Sequence, residues 1–478
     1  MATQYRRTTL IIAFSVAIVL GVASAYKFDL FSVSYTWLAF LLTVLFLTKR
    51  NAITLICLVI LGLVLGNQRG GVIKQQLVPV SDLFDHQVIL TGVAENDGVY
   101  STKNQVSFDV SNISISDPIE IDVPGKFKVE GFGVNAVYRG DEVQVEGKLR
   151  STIGSRQGRI GFGTIEVIGQ GSSPIETVRR KFRSGMQSAL PEPQASFAMG
   201  LLIGEKSTLP KTTSNSLSAV GLTHIIAVSG YNLTIIVLAV RRLLRKRSKY
   251  QSTIIAMALI GLFVLLTGFS ASIIRAAIVS LLSIVAWYYG RKIRPLLLIT
   301  FTAAITALWN PLYIWSDAGW YLSFLAFYGV LVLAPLIHRR FFADKPRGVV
   351  GLLIIESLCA QIMTAPYIIY TFKQLSIVAL PANVLVVPLV PLAMFLSLIA
   401  GLAGALFASL ASWLAWPAKI LLTYMLDLAA LLARIPHALW QQTLSIGGLF
   451  ILYGAILLIS SVLGHKTTRR ATITDIKV

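Results

Sequence analysis

Long uncharged apolar runs recur along this chain, separated by short charged loops, and one stretch breaks that rhythm. Runs near 8–26, 28–47 and 52–67 open the chain. Others lie near 223–240, 252–268, 271–289, 295–309, 318–337, 349–370, 376–403, 406–433 and 446–464. About 20 apolar residues let a helix cross a bilayer, so the pattern predicts a polytopic α-helical membrane protein of about 10–12 spans. Pro381, Pro388 and Pro391 fall inside 376–403, which reads either as a span or as a broken, re-entrant segment.

The exception is the stretch at about 80–170. "QVILTGVA", "QVSFDVSNISI", "GKFKVEG" and "DEVQVEGKL" alternate apolar and polar residues and are separated by Gly, Pro and Asn-Asp-Gly. A period of two with such turns predicts short antiparallel strands, here a soluble all-β domain, read as a small barrel. Lys49-Arg50 places its loop inside, so the third run exits outside and the β domain is extracytoplasmic. Twelve spans with both termini cytoplasmic is the simplest count. The resulting divisions are N-terminal transmembrane helices at 1–70, the β domain at 80–170 and a basic amphipathic helical connector at 174–222. A transmembrane domain at 223–464 and a cytoplasmic tail at 465–478 complete the chain.

Composition agrees with a membrane protein: 55% of the 478 residues are hydrophobic and 13% charged. The net charge of +20 does not by itself imply nucleic acid, because 21 of the 42 Lys and Arg residues fall in loops and ends assigned to the inside. Arg6-Arg7, an apolar stretch and "ASA" at 23–25 resemble a secretory signal. A second apolar run follows at once, which favours an uncleaved first span. Cys57 and Cys359 both lie in apolar runs and imply no disulfide framework or metal site. The five histidines form no His-x-His or His-x-x-x-His pair, so no metal and no cofactor is expected.

Polar residues at membrane depth are expensive and usually mark a path or an interface. The candidates are His224, Ser229 and Asn232, with Arg275, Asp317, Glu356, Gln361, Asn383 and Asp427 further along. His224 and Ser229 stand five residues apart, about 140° around a helix, too far for a nucleophile and its base. No catalytic site is expected. A break at Gly230, with freed backbone groups facing a cavity, explains the polar cluster better. "VRRKFR" supplies Arg179, Arg180, Lys181 and Arg183 on the outer side, where they would either attract a polyanion or lie on anionic lipid. The β domain opposes simple attraction, since residues 85–170 carry 12 acidic and 8 basic side chains. Phe127, Phe132, Tyr138 and Phe162 would stack bases if exposed, but core packing is the expectation for most of them.

These residues resemble the ComEC competence family, the inner-membrane channels for DNA uptake in natural transformation. "GLTHIIAVSGYNLTIIV" is similar to its His-x-x-Ala-x-Ser-Gly-x-His run through His224, Ser229 and Gly230, with Asn232 replacing the second His. Arg275-Ala276 matches an Arg-Ala signature. Asp317, Gly319, Leu322, Ser323, Phe324 and Gly329 match an Asp-x-Gly-Phe-Gln-Leu-Ser-Phe segment, where Trp320 and Tyr321 replace Phe and Gln. Asn383 and Pro388 match a later one.

The resemblance implies an OB-like β domain and a channel that passes single-stranded DNA into the cytoplasm. His224, Ser229, Gly230, Asn232, Arg275, Asp317, Ser323 and Asn383 would shape the pore or lock its helices, with aromatics such as Trp320 and Tyr321 lining it. Membrane lipid, a cytoplasmic helicase-like ATPase and an extracytoplasmic DNA receptor are the implied partners. Many relatives end in a metallo-β-lactamase-like domain, and no His-x-His-x-Asp-His is present here, so any nuclease is expected on a separate chain. Asn232 cannot titrate, which argues against a proton-linked role there. The alternatives are a small-solute transporter or exporter, for which no inverted repeat is visible, and a non-transporting scaffold.

Overall fold

In the computed structural model, α1 (Arg7–Ala25) and α2 (Ala52–Asp82) pack tightly side by side, running parallel, through a contact built on glycine. Gly62, Gly66 and Gly70 recur every fourth residue of α2 and so share one face. A Cβ on Gly62 would sit 2.7 Å from the Phe14 carbonyl, and one on Gly66 would strike the Ile18 carbonyl. Small residues let membrane helices approach this closely. The buried Asn67 amide adds hydrogen bonds to Ser24 Oγ at 3.0 Å and to the Phe28 carbonyl at 2.9 Å. The structure describes residues 4–28, 51–100, 105–134, 137–152, 156–171, 174–205, 209–226, 233, 242, 248–268, 271–291, 294–341, 349–407 and 409–474.

Six strands follow: β1 (Gln87–Ala94), β2 (Val99–Tyr100), β3 (Val106–Asp117), β4 (Ile121–Phe132), β5 (Glu142–Arg150) and β6 (Gly158–Gly169). Five of them close a ring in the order β1-β3-β4-β6-β5 and back to β1, with β2 lying on β3. All pairs are antiparallel except β4 with β6, which run parallel. Alternate residues point inward, so Leu90, Phe108, Val110, Ile115, Phe127, Val129, Val145 and Ile160 fill the interior. This is the small barrel that the alternation predicts.

The remaining elements are helical: α3 (Pro174–Ala189), α4 (Gln194–Ile203), α5 (Lys211–Ala219), α6 (Thr223–Ile226), α7 (Lys249–Thr267), α8 (Ala271–Tyr288) and α9 (Pro295–Trp309), then α10 (Leu312–Ser316) and α11 (Ala318–Tyr328). A π-helical turn at Gly329–Leu333 joins α11 to α12 (Ala334–Phe341), and α13 (Val349–Phe372) follows. Strand β7 (Gln374–Ser376) pairs with β8 (Leu439–Gln441). Between them lie α14 (Ala379–Val386), a 3-10 turn (Val387–Leu389), α15 (Val390–Leu406) and α16 (Ala411–Ala433), and α17 (Ile446–Thr474) comes last.

Among the described residues, nine helices are long and apolar enough to cross a membrane. That agrees with a polytopic helical membrane protein. The expected runs 28–47 and 223–240 lie largely outside the described residues, and α9 is one of two shorter apolar helices. The proline-rich run at 376–403 is a broken helix, with its 3-10 turn at Pro388.

Two compact units divide the chain. One comprises residues 1–180 and 300–320, the other 181–299 and 321–478. In the first, Arg69 donates from Nε to the Leu308 carbonyl at 2.9 Å and so caps the end of α9. Trp315 Nε1 donates to the Val22 carbonyl at 2.9 Å. In the second, α4, α14, α15 and α16 share an apolar core that includes Phe197, Leu201, Met394, Leu422 and Met425.

Candidate functional site

Within the second unit, the turn that leads into α6 packs against the segment that carries two buried polar atoms without a hydrogen-bond partner among the described residues. Gly221 adopts φ +74°, a left-handed conformation that glycine enters without steric cost. A Cβ there would meet Ala379 Cβ at 2.8 Å, so this turn rests against the start of α14. One step on, the exposed His224 donates from Nδ1 to the Gly221 carbonyl at 3.0 Å. That bond tethers the imidazole to the turn.

On the other side of this contact, Asn383 lies one helical turn beyond Ala379 on α14. Its Oδ1 is buried and has no hydrogen-bond partner among the described residues, and the same holds for Ser376 Oγ at the end of β7. The Asn383 backbone carbonyl, by contrast, accepts from the Val387 amide as the helix gives way to the 3-10 turn. Unpaired polar atoms are costly in apolar surroundings. The geometry therefore brings the His224 turn and the Asn383 helix together and leaves two acceptors beside a broken helix. Ser229, Gly230 and Asn232, along with the expected break at Gly230, lie outside the described residues.

The other predicted residues sit elsewhere. Arg275 is 2% exposed on α8, which packs against α7. Ser323 is half-buried on α11. In the first unit, Asp317 Oδ1 accepts from the Gly319 amide at 2.9 Å, the geometry of an N-cap on α11. Trp320 is buried and donates from Nε1 to Thr306 Oγ1 at 3.0 Å. Tyr321, in the second unit, tilts against Tyr367 with ring centroids 5.2 Å apart.

The cations of "VRRKFR" are largely occupied by their own protein. Arg179 is buried and lies 3.8 Å from Glu176, which also meets Arg139 at 3.6 Å. Burial, and then the neighbouring Arg179 guanidinium, lower the Arg139 pKa. Arg180 donates to the Gly171 carbonyl and stands over the Tyr138 ring, 5.8 Å from its centroid. Arg183 pairs with the buried Glu205 at 3.2 Å, while Lys181 is exposed. Amphipathicity was legible in the sequence, but the buried acid that Arg183 faces was not.

On the barrel, the expectation of core packing for most of the four aromatics is corrected. Phe127 alone is internal, whereas Phe132, Tyr138 and Phe162 are exposed. The outer face of β4 and β6 also carries ion pairs. Lys128 and Arg159 both pair with Glu130, and Arg156 holds Asp109 in a two-pronged bond of 2.6 and 2.9 Å. Burial pushes the Glu130 carboxyl up, but hydrogen bonds from Lys128 and Arg159 outweigh it and hold the group below its usual range. The bond to Asp109 raises the Arg156 pKa.

Comparison with known proteins places these elements in context. A family model described as "Competence protein" matches residues 201–466. The chain is 25% identical over 220 residues to "ComE operon protein 3" of Bacillus subtilis (strain 168). That alignment covers 45% of this chain and 27% of the relative, so the chain spans only about a quarter of that protein's length. No solved structure matches.

Proposed function

This chain belongs to the competence protein family, and from that membership we propose that it is an inner-membrane channel passing single-stranded DNA into the cytoplasm during natural transformation. The family match across residues 201–466 carries the reading. The buried acceptors Asn383 Oδ1 and Ser376 Oγ, beside the His224 turn, support it. A polar strand crossing lipid needs polar groups along its path, and unpaired groups at a broken helix answer that need.

The β domain is read as an OB-like barrel on the extracytoplasmic side, with both termini cytoplasmic. Its five-stranded closure supports the likeness to OB-folds, which bind oligonucleotides. In this reading residues 1–70 anchor the barrel, 174–222 connect it to the channel domain at 223–464, and the chain conducts without catalysing. A cytoplasmic helicase-like ATPase pulls the strand, and an outer receptor delivers it.

The test is uptake of labelled DNA by cells carrying the wild-type chain, a deletion, or Arg275→Ala. The deletion abolishes uptake and the substitution impairs it. Wild-type uptake in the deletion strain refutes the proposal.

A further inference from the structure

The outer face of β4 and β6 carries an aromatic pair that the barrel does not need for its own core. Strands β4 and β6 run in register until Glu130 stands opposite Gly161. The next pairs are Gly131 with Gly163 and Phe132 with Thr164, which leaves Phe162 as an extra residue in a bulge. Its φ is +62°, a region uncommon for any residue but glycine, although a glycine stands on either side of it. The bulge turns the side chain out, and Phe162 is 71% exposed. Phe132, at 43%, faces it with ring centroids 6.5 Å apart and planes inclined at 37°.

We propose that Phe132 and Phe162 form a clamp that takes one unpaired nucleobase of a single-stranded nucleic acid. Rings stack at roughly 3.5–4 Å, so a base held on both faces needs an opening of about 7–8 Å. The inclined pair reaches that width by a small rotation of the exposed Phe162 ring. Gly161 leaves the floor beside the clamp open, since a Cβ there would meet nothing within 4 Å. Lys128 and Arg159 stand opposite each other four residues earlier on β4, about 13 Å away at 3.3 Å per residue. They share the single acid Glu130, so this patch carries one net positive charge beside the path of the backbone. Bases in a duplex are already stacked and paired, so only an unpaired base enters between the rings. Stacking makes the clamp tolerant of sequence.

The inference rests on the reading of the barrel as the domain that meets DNA, but its test is separate from uptake. The full chain in lipid nanodiscs is titrated with a fluorescent oligothymidylate and with a fully paired hairpin. Phe132→Ala and Phe162→Ala each weaken oligothymidylate binding about tenfold, Phe162→Leu does the same, and Phe162→Trp retains wild-type affinity. Phe162→Gly relaxes the backbone, keeps the fold, and loses binding. An oligonucleotide carrying 5-iodouracil crosslinks to the Phe162 peptide on irradiation.

Full binding by the alanine variants overturns the clamp, as does full binding by Phe162→Leu. Equal losses for the hairpin overturn it too. So does a loss confined to association of the barrel with added anionic vesicles, which assigns the rings to lipid. DNA uptake that survives deletion of the chain refutes the channel while leaving the binding measurement readable.

Discussion

Replacing Asn383 by Leu separates a functional polar atom from a packing flaw. Asn383 Oδ1 is buried on α14 with no hydrogen-bond partner among the described residues. A buried acceptor left unmade costs about 1–3 kcal/mol, and replacement by an apolar group of similar shape is near neutral or stabilising. Because the residue as a whole is half-buried, the lower end applies, and Asn383→Leu stabilises the protein by about 1 kcal/mol. Ser397 serves as the control. It lies fully buried on α15, and its Oγ likewise has no hydrogen-bond partner among the described residues.

Ser397→Ala therefore stabilises by a similar amount. Equilibrium unfolding by denaturing detergent in mixed micelles measures both variants, and labelled-DNA uptake is scored on the same pair. Uptake falls about tenfold in Asn383→Leu, equivalent to about 1.4 kcal/mol in the transport step, and stays at wild type in Ser397→Ala. Destabilisation by Asn383→Leu refutes the account of the orphaned acceptor. Stabilisation with undiminished uptake refutes its role in transport.

Gly66→Leu drives a side chain into the Ile18 carbonyl and destabilises the α1–α2 pair by about 1–3 kcal/mol. Protease sensitivity of residues 7–82 reports it, and a variant as resistant as wild type refutes the close packing. Glu130, with its pKa held below the usual 4.5, contributes stability that is complete above about pH 4.5 and is lost as pH falls through the lower folded value. Its partners are partly exposed, so the contribution is under about 1 kcal/mol. Glu130→Gln forfeits it at pH 7 and flattens the acid limb of thermal melting, and an unchanged limb removes the ion pair from consideration.

The sequence announced the barrel through its alternation and the helices through their length, because both signals arise from which face of each element meets water or lipid. What it did not announce depends on single insertions and on contacts between distant segments. Counting by twos from the internal Ile160 places Phe162 inside, and one bulged residue reverses that. Trp320 was legible as a residue of the Asp317 segment, but its partner Thr306 was not. The partner that Gly62, Gly66 and Gly70 fit is α1, which no pattern local to α2 encodes. At the candidate site, His224 and Asn383 were both legible as polar residues in apolar runs. That Gly221 joins their two segments was not, since nothing local to either run encodes the contact.

The ring of strands has a consequence for how the chain is made. Strand β6 is the last of the six in the chain to emerge, and because it sits between β4 and β5 it closes the circle. Before residue 169 is available, β4 and β5 each present an unpaired row of backbone donors and acceptors. Such edges are templates for pairing with other chains. The hazard therefore exists only during synthesis, over the interval in which β1 to β5 are present without β6. Once β6 slots in, no long edge remains, and the finished barrel can share its surroundings with other extended chains without joining them.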